Sequence, residues 1–180
     1  MTEVSDEELV ARVVTSSDGR AFEVLVRRHQ RRVRNWLRQL TRDAAYADDL
    51  AQDVFIVVWE RAYSFAGKGS FAAWVMKVAY NHYLQARRKR GVPLVFGTDA
   101  EDVAPDGQEW PDVAKMLAVV GPDERLVLTL CFAHGMSHGE VAEVLDMPLG
   151  TVKSHVQRGR AKIRARFGVP DSRECGSGRE

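Results

Sequence analysis

The chain has 180 residues, 45% of them hydrophobic, enough apolar material for one ordinary domain or two small ones. No segment approaches the roughly 20 uncharged apolar residues of a membrane span, and the acidic start, Met1 to Glu8, lacks the basic end of a secretory signal, so a cytoplasmic protein is expected. The net charge of +1 conceals a sharp asymmetry: residues 1–19 carry −4, 20–90 carry +9, 91–124 carry −7, 125–170 carry +4 and the last ten −1.

Two basic, apolar-periodic blocks flanking an acidic segment read either as two modules that bind polyanions or as two solvated helical faces. Ser5 with Glu8 forms a capping box for a short helix to about Val14, and Asp18 can cap the next. Phe22, Leu25, Val26, Val33, Trp36, Leu37 and Leu40 then recur at helical steps among six arginines, which predicts one long amphipathic helix. A second long helix is expected from about Ala44 to Ala62 with Leu50, Val54, Val57 and Val58 inward, ended by the loop Phe65-Ala66-Gly67-Lys68-Gly69. Ser70 caps a third, with Phe71, Trp74, Val75, Val78, Ala79 and Leu84 as its apolar stripe. Its basic close, Arg87-Arg88-Lys89-Arg90, suits a helix C-terminus.

Residues 91–111 hold Pro93, Pro105, Pro111 and five acids, the composition of an extended acidic linker. A helix near Asp112 to Val120 ends at Gly121, and Pro122 opens another that Gly135 stops after His134. Ser137-His138-Gly139-Glu140 is a second capping box. It leads Val141, Ala142, Val144 and Leu145 into the tight turn Asp146-Met147-Pro148-Leu149 and then a helix from Gly150 to Phe167. This is helix-turn-helix spacing, with Ala142 where two helices cross and Val152, Val156 and Ile163 inward. Thr151, Lys153, Ser154, Gln157 and Arg158 face outward, able to read base edges or grip phosphate, with Arg160, Lys162, Arg164 and Arg166 continuing the basic face. The plainer reading of the same residues is an amphipathic hairpin with a solvated face.

No strand-period alternation and no repeat occurs, so the fold class is all-α: two small helical domains, 1–90 and 112–168, joined by the acidic linker 91–111 and followed by a tail, 169–180. Cys131 sits in an apolar run and Cys175 in a Gly/Ser-rich tail, which argues against a disulfide. Cys131, His134 and His138 have ligand-type side chains, but Gly135 interrupts the helix between the histidines and no fourth ligand is in view; no metal or other cofactor is expected. His29, His82 and His155 are scattered without an evident partner, and no phosphate loop, nucleophile elbow or HExxH pair occurs, so an enzyme is not expected.

The segment Ser137 to Arg166, with Gly150-Thr151-Val152-Lys153-Ser154 ahead of Arg158 and Arg160, closely resembles the C-terminal DNA-binding domain of the extracytoplasmic-function (ECF) sigma factors of RNA polymerase. Asp48-Asp49-Leu50-Ala51-Gln52-Asp53-Val54-Phe55 with Trp59 resembles that family's polymerase-clamp helix, and Ser70-Phe71-x-x-Trp74 through Asn81 its promoter-melting helix. The resemblance implies that Asp48, Asp49, Leu50, Gln52, Asp53, Phe55 and Trp59 bind core RNA polymerase. It places Lys68, Gly69, Ser70, Trp74, Lys77, Asn81, Arg87 and Arg88 on the minus-ten promoter element, with Trp74 either a base platform or simply core. Thr151, Lys153, Ser154, His155, Gln157, Arg158 and Arg160 fall on the minus-thirty-five element. It further implies an anti-sigma partner and an acidic linker lying in the polymerase's RNA path. Two departures stand out: Tyr46 replaces a customary acid, weakening the polymerase contact, and His155 replaces a customary arginine, softening a phosphate contact. Without the resemblance, the helix-turn-helix alone fits a repressor or activator that never joins polymerase, and the basic faces fit a non-DNA adaptor.

Overall fold

The computed structural model describes residues 4–65, 67, 69–90 and 111–168, with the side chains of 111–114 left aside. The acidic linker apart from Pro111, the tail 169–180 with Cys175, and Lys68 therefore lie outside the described residues. The chain divides into two compact units, Met1–Val92 and Pro93–Glu180. The described residues are helical, without a strand.

In the first unit, α1 (Asp6–Ser16) begins where Ser5 Oγ accepts the Glu8 amide at 3.2 Å, and it ends at Ser17 in the left-handed conformation. Asp18 caps α2 (Gly19–Thr41) by accepting the amides of Arg20 and Ala21 at 3.0 and 3.1 Å, satisfying two of the donors a helix start leaves open. Asp43 does the same for α3 (Ala44–Arg61) through the Tyr46 amide. A 3₁₀ turn, Ala62–Ser64, follows, and α4 (Phe71–Arg90) closes the unit.

The core of this unit gathers Leu25, Val33, Trp36 and Leu37 of α2, Leu50, Val54 and Val58 of α3, and Phe71, Val75, Met76 and Ala79 of α4, all nearly inaccessible to water. Leu9, Val10 and Val13 seal α1 onto it. Tyr83 donates its hydroxyl to the Leu40 carbonyl at 3.1 Å, so the one polar atom its burial would strand is satisfied.

Three expected stripes are corrected. On α2 the buried line runs Ala21, Leu25, His29, Val33, while Phe22 and Val26 are only half-covered. On α3, Val57 is half-buried. On α4 the buried set is Phe71, Ala73, Val75, Met76, Ala79, Tyr80 and Tyr83, and Trp74, Val78 and Leu84 are half-exposed. The physical reason is that α4 packs on α2 and α3 at once, so its covered arc is wider than a single stripe and is turned toward the groove between them.

In the second unit, α5 (Pro111–Ala118), α6 (Pro122–Leu128), α7 (His138–Leu145) and α8 (Leu149–Phe167) pack around Leu126, Val127, Leu130, Val141, Val144, Val152 and Val156. A π-helical turn, Thr129–Ala133, carries the chain out of α6, so the expected single helix from Asp123 to His134 changes its hydrogen bonding part-way. Cys131 is buried there, and Gly135 takes φ +64° to end the run. Ile163, expected inward, is half-covered, and so is Ala142. A separate close approach, between α6 and α8, lies at Gly159, where an added Cβ would sit 2.7 Å from Leu128 Cδ1.

Candidate functional site

On α3 the expected carboxylate stripe divides. Asp48 accepts from Arg38 Nη2 at 3.2 and 3.3 Å and lies 3.9 Å from Arg34 Nε, so it fastens α3 to α2 rather than standing free. Asp53, with 60% of its side chain exposed, points the other way, its Oδ2 3.6 Å from His82 Nε2 of α4. Asp49 and Gln52 are exposed and Leu50 is buried in the core, so Leu50 supports the surface instead of forming it.

Beside these residues α2 and α3 leave an apolar groove of about 490 Å³. Phe22 and Val26 line one wall and Phe55, Ile56 and Trp59 the other, with Gln30, Arg34 and Gln52 supplying polar groups. Trp59 meets Phe22 edge to face at 4.9 Å, and Ile56 is 58% exposed. An uncovered isoleucine among half-covered aromatics is the kind of patch that a partner buries. Phe55 and Trp59 are the residues of this groove that the resemblance names, whereas Phe22 and Val26 were expected on the apolar stripe of α2. Tyr46 is occupied within the chain: the Arg90 guanidinium lies 3.6 Å from its ring centroid, a close cation–π contact.

At the head of α4, Ser70 Oγ accepts the Ala73 amide at 3.2 Å, while Gly67 and Gly69 hold φ +68° and +75°, a conformation that glycine adopts without strain. Trp74 is half-exposed and stacks on buried Phe71 at 5.6 Å, and Phe65 lies within 6 Å of both rings. Trp74 is thus held by packing on Phe71 while remaining part-exposed. Trp74, Lys77, Asn81 and Arg88 follow one another at steps of three, four and seven along one side of the helix. Asn81 and Arg88 are exposed, and Lys77 and Arg87 are half-buried.

The histidines are not without partners. His29, 8% exposed, donates from Nε2 to Asp6 Oδ2 at 2.7 Å, and its ring meets Phe71 edge-on at 5.3 Å. Burial lowers its pKa below the ordinary value, outweighing the opposing pull of the Asp6 carboxylate. His82 faces Asp53, and His155 accepts from Arg158 Nη2 at its Nδ1, 3.2 Å away. Spacing along the chain conceals the first two pairs; only the last is local.

In the second unit the Ser137–Glu140 capping box is complete: Ser137 Oγ accepts the Glu140 amide at 3.3 Å and Glu140 Oε2 accepts the Ser137 amide at 2.9 Å. Asp146, with φ +54°, turns the chain into α8, whose start carries no side-chain cap and no acid in its first turn. Such a start favours an anion electrostatically. Lys153, Ser154, Gln157 and Arg158 are exposed on α8, and Thr151, His155 and Arg160 are half-covered. Ser154 already donates to the Gly150 carbonyl at 2.9 Å, leaving its oxygen as the group it offers outward.

Sequence reasoning missed the anchor behind this surface. Glu124 of α6, only 6% exposed, accepts from Lys162 Nζ at 2.8 and 3.0 Å and from the Gly121 amide at 2.9 Å, with Arg158 Nε 3.9 Å away. Burial raises its carboxyl pKa, but the Lys162 and Gly121 hydrogen bonds and the two cations together bring it below the ordinary glutamate value. The Gly-Pro-Asp-Glu order is a capping signature in retrospect; its reach to α8 is not local.

Residues 25–92 match the family Sigma-70 region 2, and residues 112–163 match Sigma-70, region 4. The RNA polymerase sigma-H factor of Pseudomonas aeruginosa is 31% identical, over 91% of this chain and 94% of that protein. The sigma factor NccH of Alcaligenes xylosoxydans is 32% identical, over 92% and 96%. The chain belongs to the ECF sigma factors of RNA polymerase. The ECF sigma factor RpoE of Cereibacter sphaeroides is also similar, at 28% identity over 91% of this chain and 98% of its own. Among solved structures, the sigma factor RpoE of Bartonella quintana in complex with the anti-sigma factor NepR shares the fold, with TM-score 0.65, 23% identity and coverage of 83% and 98%. CnrH in complex with the cytosolic domain of CnrY does so with TM-score 0.63, 24% identity and coverage of 91% and 97%. No described helix of this sigma factor is long and apolar enough to cross a membrane. No group of three or more metal-ligating side chains comes together among the described residues.

Proposed function

We propose that this sigma factor joins core RNA polymerase in the cytoplasm through its first unit and brings the enzyme to promoters by contacts from both units. The observation that carries this is the pairing, in one unit, of an apolar groove with a separate polar and basic face. The groove between α2 and α3 presents Phe22, Phe55, Ile56 and Trp59 with Gln52 and Asp49 at its side. α4 presents Trp74, Lys77, Asn81 and Arg88 on one side of another helix. A repressor needs the helix-turn-helix of the second unit but has no use for the first pair.

In this assignment the groove takes the polymerase clamp, with Asp48 positioning α2 and α3 and Asp49, Gln52 and Asp53 meeting the clamp's cations. Opening DNA requires that an unstacked base be held and the backbone neutralised. Trp74, braced by Phe71, offers a ring face; Asn81 has both donor and acceptor for a base edge; Lys77, Arg87 and Arg88 meet phosphate. Gly69 and Ser70 shape the loop that receives the base, with Lys68, outside the described residues, as its cation. At the minus-thirty-five element Lys153, Ser154, Gln157 and Arg158 face the groove, Thr151 and the start of α8 meet phosphate, and His155 and Arg160 lie at the margins. Bond making belongs to the polymerase, and the sigma factor is no enzyme. NepR and CnrY are bound by the similar proteins, and the same open groove is where an anti-sigma protein would compete with polymerase.

Run-off transcription tests the assignment: core polymerase plus this protein alone is expected to give promoter-dependent transcripts. DNA binding without any transcript across a promoter library would convert the reading to a repressor.

A further inference from the structure

The helix α1 lies outside the stretch that matches Sigma-70 region 2, yet it reaches the promoter-melting end of the unit through a continuous set of contacts. Asp6, at its first turn, accepts from Arg28 Nη1 at 2.8 Å and from His29 Nε2 at 2.7 Å. His29 is buried, and the ring edge geometry places it 5.3 Å from Phe71, the first residue of α4. Phe71 in turn packs on Phe65 at 5.4 Å and stacks on Trp74 at 5.6 Å, so the ring that His29 meets also holds Phe65 and Trp74. α1 also packs directly on the 3₁₀ turn Ala62–Ser64, which precedes Phe65.

We infer that Asp6 is a positioning residue for promoter opening: by holding the His29 ring against Phe71 it fixes the aromatic cluster of Phe65, Phe71 and Trp74 at the head of α4. The inference rests on the assignment of α4 to the minus-ten element. Geometry makes the effect selective. The groove proposed for polymerase lies between α2 and α3 and is lined by none of Asp6, His29 and Phe71. A hydrogen-bonded carboxylate with two donors fixes a neighbouring ring far better than packing alone, because the ring's tilt and rotation are both determined. A second tether separates this role from mere attachment of the helix: Arg12 Nη2 donates to Asp18 Oδ2 at 2.7 Å and holds α1 to the α1–α2 turn without touching His29.

The experiment reconstitutes the full-length protein with core polymerase and reads two quantities. One is the dissociation constant for core. The other is the rate of promoter opening, followed by a fluorescent base analogue in the minus-ten element. Asp6→Asn is expected to bind core as the parent does but to open the promoter about tenfold more slowly, the scale of losing one charge-assisted hydrogen bond. Asp6→Glu restores most of the rate. Arg12→Gln, which loosens α1 at its other tether, opens at the parental rate. Should Asp6→Asn fold poorly, His29→Gln answers the same question: it keeps a donor for Asp6 while removing the ring from Phe71, and it too slows opening with core affinity unchanged. Parental opening by both Asp6→Asn and His29→Gln overturns the inference, as does an equal slowing by Arg12→Gln or a matching loss of core affinity. A parent protein that opens no promoter would instead refute the minus-ten assignment itself.

Discussion

A β carbon at position 159 has no room. It would fall 2.7 Å from Leu128 Cδ1 and 3.3 Å from Leu128 Cγ, with Glu124 Cβ at 3.5 Å, so α6 and α8 approach each other on the bare backbone of that glycine. Gly159→Ala gains intrinsic helix propensity, worth up to about 1 kcal/mol. It loses more to overpacking, and the net cost should be about 1–2 kcal/mol, seen as a lower melting temperature. Leu128→Ala in the same protein should make Gly159→Ala less costly; additive losses in the double variant would refute the clash. Tyr46 carries a comparable lesson about single residues. Where a carboxylate is customary, its ring lies beneath Arg90, so aspartate there would still meet the same guanidinium. The polymerase contact expected from Tyr46→Asp is thus set against a local ion pair, and the departure from the family's acid is less a vacancy than a different clasp between α3 and the end of α4.

At the level of elements, starts were legible. Ser5, Asp18, Ser70 and Ser137 each accept a backbone amide at their helix starts, because a cap is a local device read from a few consecutive residues. Faces were legible in good part: Leu25, Val33, Trp36 and Leu37 of α2 and Leu50, Val54 and Val58 of α3 are buried as expected. α4 packs on both of those helices, and its stripe holds at Phe71, Val75 and Ala79 but not at Trp74, Val78 and Leu84, which are half-exposed. The pairs Asp6–His29 and Glu124–Lys162 span 23 and 38 positions and leave no periodic trace. The second pair makes an element-scale prediction. Glu124 joins the start of α6 to the middle of α8, and its pKa lies below the ordinary value. Its stabilisation is therefore present in full above the unfolded glutamate range and is lost as pH falls through the lower folded value. Glu124→Gln keeps the shape but loses the charge, and at pH 7 should cost about 1–2 kcal/mol. Lys162 is half-exposed, which keeps the loss well below that of a sealed ion pair. Chemical denaturation at pH 7 and at pH 3 measures it: the gap between parent and variant should narrow in acid. A gap that persists unchanged at pH 3 would show that charge is not what Glu124 contributes.

For the whole molecule, a net charge of +1 matters less than its placement, since the excess cations lie in residues 20–90 and 125–170 and the excess acids in 91–124 between them. Phosphate contacts release counterions, so each unit's cations set the salt dependence of promoter binding, whereas base contacts set its sequence preference. His155 tests that division. Its Nδ1 accepts from Arg158 Nη2, so part of the Arg158 hydrogen-bonding capacity is turned along α8. His155→Arg removes the acceptor, places a like charge three positions from Arg158, and leaves both guanidiniums to seek phosphate. Affinity of the polymerase complex for a minus-thirty-five duplex should rise, and the slope of log K against log salt should steepen by about 0.9 for one added phosphate contact. Titrations between low and physiological salt give both numbers from one series. A tighter complex with an unchanged slope would mean that the arginine reads a base edge. Neither change would mean that position 155 lies beyond reach of the DNA, and that the α8 face begins at Arg158.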